Sequence, residues 1–269
     1  MKKWNLNNEF KRKLKNELNH IKPDIIIGTT KWKGDVICKS YDKAKIIIES
    51  HGPRNHTGIN DGSNRNRFVN YFYRFMRYNA QRIMEKYSDV LVTLTTGDAK
   101  EWNSTKIRVI PNMTLQPYNT FHKSVAKKHV ITVGRHEYAK GFDLLIKTWK
   151  VVEQKYPDWI LDIYGEGSLT GLLTEQINDL KLTPKTLLHK PTPDIYDKYQ
   201  ESKFYVMSSR YEGWGLVLVE AMTCGIPCIA FDCPYGPSDI IEHEKNGLLV
   251  KNGDIQGLAD AICWMIEHE

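Results

Sequence analysis

Two α/β domains, each built on a doubly wound parallel sheet, are the architecture this sequence predicts, and three features predict it. Short β-rich runs alternate with helical stretches along nearly the whole chain. A polar segment without sustained apolar period divides that alternation in two. The 269 residues, 41% hydrophobic and 26% charged, suit two cores of ordinary size.

In the first half, "DIIIGTT", "AKIIIESH", "DVLVTLT" and "IRVIPN" are β-rich runs, with one long helical segment over 66–87 between the second and third. They make a short α/β sheet. The segment "NMTLQPYNTFHKSVAKKH", 112–129, reads as an interdomain linker. With the boundary near residue 125, the domains are 1–124 and 125–269.

The second half supplies six more runs: "HVITVG", "WILDIYG", "TLLHK", "FYVMSS", "PCIAF" and "GLLV". Start and stop signals frame the helices between them: Gly141 before "FDLLIKTWKVVEQKY", Pro157 just after it, Pro193 and Asp194 opening "DIYDKYQES", and Gly225 closing "LVLVEAMTC". This half is the larger doubly wound sheet.

Composition narrows the function classes. No apolar run approaches the roughly 20 residues of a membrane helix. The start, "MKKWNLNNEFKRKLKNEL", lacks the apolar block of a secretion signal, so a cytoplasmic protein is expected. Cys224, Cys228 and Cys233 follow C-x3-C-x4-C without the tight pairs of zinc sites and read as plain small buried or near-surface residues. Residues 1–120 carry 22 Lys and Arg against 11 Asp and Glu, whereas 121–269 carry 16 against 21. A basic first half suits an anionic membrane surface, a phosphorylated substrate or nucleic acid, with a merely solvated surface as the plain alternative. No nucleic-acid-binding motif is present, so no nucleic-acid partner is expected.

In an open parallel sheet, ligands bind at the carboxyl ends of the strands. After "ITVG", the loop "RHEYAKG" sets Arg135 and Lys140 ahead of a helix opening at Gly141, a good site for a diphosphate. After "FYVMSS", the loop "RYEGWG" carries Glu212, Gly213, Trp214 and Gly215. A helix starting near Gly215 and Leu216 would aim free N–H groups at the same crevice and hold Glu220 about a turn and a half in. A loop Glu and a helical Glu are good acceptors for sugar hydroxyls, although a salt-bridged helical Glu stays open as an alternative.

Three further features admit other readings. Where "EGSLTG" follows "ILDIYG", Gly165, Gly167 and Gly171 only loosely resemble a dinucleotide fingerprint. Paired carboxylates also serve glycoside hydrolysis, but a hydrolase needs no diphosphate cradle. His51 ends a strand of the first half, where a structural role competes with a catalytic one.

Taken in order, "VGRHEYAKGFDLLI", "YGEGS", "RYEGWGLVLVEAMTCGIPCIAFD", "GPSDII" and "NGLLV" resemble the retaining family-4 glycosyltransferases of the GT-B fold, of the bacterial polysaccharide and lipopolysaccharide type. The spacing Glu212-x7-Glu220 is similar to that family's paired-glutamate motif. The resemblance implies that Arg135 and Lys140 hold the donor diphosphate with the N–H groups at Gly215 and Leu216. It implies ribose binding by Glu220, contact of Glu212 with the transferred sugar in a pocket shaped by Gly213 and Trp214, and His51 beside the reacting centre. It further implies a nucleotide-sugar donor with UDP as the nucleotide, a lipid-linked glycan acceptor, no metal and no cofactor. Relative to that family the chain reads as shortened at both ends, with an incomplete first sheet. A non-catalytic nucleotide-sugar-binding protein is therefore the competing expectation.

Overall fold

A computed structural model describes residues 2–29, 34–52, 54, 67–114 and 127–268. The chain divides into two compact units, Met1–Pro111 and Asn112–Glu269. The boundary expected near residue 125 falls in 115–126, outside the described residues.

The first unit runs α1 (Lys2–Ile21), β1 (Ile25–Gly28), α2 (Gly34–Ser40), β2 (Lys45–Ser50), α3 (Arg67–Tyr87), β3 (Val90–Thr93), α4 (Thr96–Glu101) and β4 (Ile107–Val109). Its four strands lie parallel and in chain order. Alternate β-branched side chains of β2, Ile46 and Ile48, are buried with Leu91, Met84 of α3, Cys38 of α2 and Trp102. Asp89 fastens the start of β3 to β2 by accepting from the Ile46 N–H at 2.9 Å and from Lys45 Nζ at 3.1 Å. Thr95 caps α4, its hydroxyl accepting from the Asp98 N–H at 3.0 Å. The buried Asp98 carboxylate in turn accepts from the Arg54 N–H at 2.6 Å.

The four expected runs are the four strands, and the expected long helix is α3. Helices α1, α2 and α4 are additions to that reading. In α1 only Leu18 is buried among the residues whose side chains are described, so the helix has too little apolar stripe to announce itself.

The second unit runs β5 (His129–Val133), α5 (Phe142–Lys155), β6 (Ile160–Tyr164), α6 (Thr170–Asp179), β7 (Thr186–His189), α7 (Ile195–Glu201), β8 (Phe204–Met207), α8 (Leu216–Thr223), β9 (Cys228–Asp232), α9 (Pro237–Ile240), β10 (Leu248–Lys251) and α10 (Ile255–Glu267). All six expected runs are strands of one parallel sheet, ordered β10-β9-β8-β5-β6-β7. Alternation sends neighbouring side chains to opposite layers. Val130 joins Leu145 and Trp149 of α5 and Leu258 and Ile262 of α10, whereas Ile131 joins Tyr199 of α7 and Leu218 and Ala221 of α8. Helices therefore cover both faces, the doubly wound arrangement.

From β5 the chain winds outward to β6 and β7, and α7 returns it to β8 on the other side of β5. The winding thus reverses between β5 and β8. The loops after these two strands flank the crevice where such sheets bind ligands. No described helix is long and apolar enough to cross a membrane.

Candidate functional site

The loop after β5 and the loop after β8 are stapled together. Ser208 Oγ donates to the Lys140 carbonyl at 3.0 Å, and the Arg210 N–H donates to the Ala139 carbonyl at 2.8 Å. The Arg210 guanidinium grips both Asp143 oxygens, at 2.7 and 2.6 Å, and lies 4.1 Å from the Tyr138 ring centre. Gly141 is what lets the loops approach so closely. Its φ of 62° is left-handed, and a Cβ there would stand 2.1 Å from the Ser208 carbonyl oxygen.

This staple delivers Lys140 to Glu212. Lys140 Nζ donates to Glu212 Oε1 at 2.7 Å, and Ser209 Oγ donates to the same oxygen at 2.6 Å. Glu212 is 9% exposed and its backbone is pinned to the loop after β9, donating to the Pro234 carbonyl at 2.9 Å and accepting from the Tyr235 N–H at 3.2 Å. Gly236 of that loop closes against the loop after β8, since a Cβ there would stand 1.9 Å from the Trp214 carbonyl oxygen. The sequence thus places a carboxylate with its cation at the mouth of the switch point.

Gly215, with φ 98°, is the residue before α8, which starts at Leu216 as expected and carries no acid in its first turn. Its positive dipole end is therefore not neutralised by an acid of its own first turn. Glu220 is half-buried in α8. Its nearest hydrogen-bond partner is the Tyr199 hydroxyl at 3.5 Å, and it forms no ion pair with a described residue. Burial pushes its carboxyl above the usual carboxylate range, with the Tyr199 hydroxyl opposing weakly. A charge half removed from water without a cation is unlike the salt-bridged helical Glu weighed above. Trp214, at the centre of the same turn, holds its indole N–H buried with no partner among the described residues.

Two expected site residues stand apart from this cluster. Arg135 extends into solvent and pairs with Glu137 at 2.7 Å, an exposed contact of little energy. His51, just past β2 in the first unit, is exposed and bonded to Glu49 at 3.2 Å.

Of Gly165, Gly167 and Gly171, the first two have another purpose than a dinucleotide. A Cβ on Gly165 would stand 1.9 Å from the Gly134 carbonyl oxygen, and one on Gly167 would stand 2.6 Å from the His136 carbonyl oxygen. They let the loop after β6 lie on the loop after β5. His136, buried under that contact, meets Thr170 Oγ1 at 2.9 Å, and burial lowers its pKa.

Sequence reasoning missed Arg210, Asp143, Tyr138 and Ser209. Arg210 stands two residues before Glu212 and Asp143 opens α5, but nothing in the sequence pairs the two. Among the described residues no cluster of His, Cys, Asp or Glu could hold a metal ion, and Cys224, Cys228 and Cys233 are buried thiols.

A switch point carrying a lysine and glutamate pair, glycine turns and an acid-free helix N-terminus defines an α/β protein suited to an anionic ligand bearing hydroxyls. Residues 119–269, more than half of the chain, match the family of Glycosyl transferases group 1, and the chain belongs to that family. It is 31% identical over 208 residues to an uncharacterized glycosyltransferase of Haemophilus influenzae, covering 74% of this chain and 59% of that one. It is 36% identical over 143 residues to the poly(ribitol-phosphate) alpha-N-acetylglucosaminyltransferase of Staphylococcus aureus, covering 53% of this chain and 29% of that one. It therefore spans well under two thirds of these curated relatives.

Among solved structures, a mutant of S. aureus TarM in complex with fondaparinux, alpha-GlcNAc-glycerol and UDP matches with a TM-score of 0.76 at 26% identity, over 94% of this chain and 51% of that chain. HepE of Anabaena, in complex with UDP and glucose, shares the fold with a TM-score of 0.78 at 19% identity, over 96% of this chain and 71% of that chain. The two parallel sheets and these neighbours are those of the GT-B fold.

Proposed function

We propose that the protein is a retaining glycosyltransferase that moves a hexose or N-acetylhexosamine from a UDP-sugar to a lipid-linked or growing cell-surface glycan. The observation that carries this reading is the Lys140 and Glu212 pair, held at the switch point beside the acid-free start of α8. The complex of TarM with UDP supports the choice of nucleotide.

In this reading, Lys140, the N–H groups at Gly215 and Leu216, and Arg135 swung in from its exposed contact receive the donor diphosphate. Glu220 accepts the ribose hydroxyls, and Glu212 accepts from a hydroxyl of the transferred sugar in a pocket shaped by Gly213 and Trp214. The acceptor hydroxyl attacks the anomeric carbon from the face that the diphosphate leaves. The bond from carbon to diphosphate oxygen breaks, and a donor phosphate oxygen takes the acceptor's proton, so no protein base is required. Lys140 and the dipole of α8 stabilise the charge that develops on the leaving group, a task that needs neither metal nor cofactor. His51 belongs to the acceptor side of the reaction. The basic first unit suits a lipid-diphosphate acceptor at the inner, cytoplasmic face of a membrane, to which the protein attaches peripherally.

Calorimetric titration with UDP, then with UDP-glucose, UDP-galactose and their N-acetyl forms, tests the reading. Micromolar binding that is lost in Lys140→Ala and Glu220→Ala is the expected result. Unchanged affinity in both variants would place the nucleotide elsewhere. Intact binding without transfer to any lipid-linked acceptor would favour a nucleotide-sugar-binding protein over an enzyme.

A further inference from the structure

We propose that the outer face of α3 is the surface by which the protein lies on an anionic membrane. This names the contact for the peripheral attachment proposed above, and it rests on that reading. Along α3, Tyr71, Phe75 and Tyr78 are 72%, 54% and 52% exposed and recur at the spacing of one helix face. Arg82 continues the stripe and Arg74 borders it, both exposed. The opposite face is the one that buries Met84 in the core. An amphipathic helix normally turns its aromatic side inward, whereas the described aromatic side chains of this one are turned out.

The charges on this face favour one occupant. The single acid of α3, Glu85, points away from solvent into a 2.7 Å ion pair with Arg54, so the stripe presents cations alone. Residues 1–120 hold 22 basic against 11 acidic residues, and two such surfaces repel, which disfavours a second copy. The convex face of a helix meets a plane along its length. A single-stranded nucleic acid is held in a groove instead. Tyrosine and phenylalanine interleaved with arginine are the residues that settle at the level of lipid headgroups, the rings entering the acyl boundary and the guanidinium groups meeting phosphates. Alternation of the two residue types along one face lets both contacts form at once.

Vesicle flotation of the full chain tests the proposal, with phosphatidylcholine alone compared with phosphatidylcholine mixed with phosphatidylglycerol. The expected result is binding to the mixed vesicles only, weakened by salt and about tenfold weaker in both the Tyr71→Ser, Phe75→Ser double variant and the Arg74→Glu, Arg82→Glu double variant. The exposed Lys251→Glu in the second unit should bind like the parent. All these side chains are exposed, so circular dichroism should show each variant folded. Equal binding to neutral vesicles, or parental binding by both double variants, would overturn the proposal. So would light scattering that shows self-association lost in the double variants, or oligonucleotide binding lost in them while flotation is unchanged. UDP titration of the same variants keeps the two readings apart. A parent chain that floats but binds no UDP defeats the proposed function and leaves this surface standing, whereas one that binds UDP but does not float does the reverse.

Discussion

Lys140 and Glu212 are each other's counter-ion, and Ser209 shares the carboxylate oxygen they meet on. Lys140→Ala leaves that carboxylate nearly buried without a cation, so it should lower stability by about 2 kcal/mol as well as weaken UDP binding. Adding Glu212→Gln should restore most of the stability and none of the nucleotide affinity. Thermal melting and UDP titration of the single and double variants check this, and recovery of both together would mean that Lys140 has no ligand role. Glu220 presents the opposite case, a carboxylate with no cation. Its pKa is raised in the folded chain, so the native state holds a proton that the unfolded chain has released, and stability falls as pH rises through the raised value. Glu220→Gln should therefore melt higher than the parent at neutral pH, with the gain fading as the pH drops below the ordinary carboxylate range. The same substitution should weaken UDP binding if ribose hydroxyls are what the carboxylate awaits. A variant that melts lower at neutral pH would count against this account of Glu220.

The strands and helices that carry these residues differ in how legible they were. Every strand was readable, because β-branched runs bounded by turn residues have few other fates. The opening helix α1 was not, since among its described side chains only Leu18 is buried. Glu212, Gly215 and Glu220 could be found because they share one short run with the helix start. The Arg210 staple could not, because its partners Tyr138 and Asp143 lie about 70 residues earlier and only the sheet order brings them together. Gly165 and Gly167 show the converse limit: with Gly171 their spacing loosely resembles a dinucleotide fingerprint, but what these two serve is one loop lying on another. The staple makes its own prediction. Gly141→Ala should cost about 2–3 kcal/mol, because a left-handed backbone and a close carbonyl act together. Gly171→Ala in α6, with open space around its Cβ, should be neutral or gain about 0.5 kcal/mol. Denaturant midpoints compare the two, and equal shifts would mean that the loops are not held as closely as described.

The two units are unequally built, and this should be visible in how the whole chain melts. The second unit packs helices on both faces of its sheet around two apolar clusters that include Trp149, Phe204, Phe231 and Tyr205. In the first unit the described core is one smaller cluster, and β1 leaves Ile25 and Ile27 at 57% and 58% exposure. Apolar burial is the main favourable term in folding, so the first unit should open at lower temperature than the second. Lys140, Glu212 and Glu220 all belong to the second unit, and a ligand stabilises only the state that binds it. UDP at about 100 times its Kd should therefore add about 2.7 kcal/mol to the second unit and move the upper transition alone. Calorimetry with and without UDP, paired with amide exchange to assign each transition, makes the comparison. A UDP-induced rise confined to the lower transition would put the nucleotide on the first unit. A single transition that rises as a whole would show that the units unfold together, with nucleotide binding felt across both.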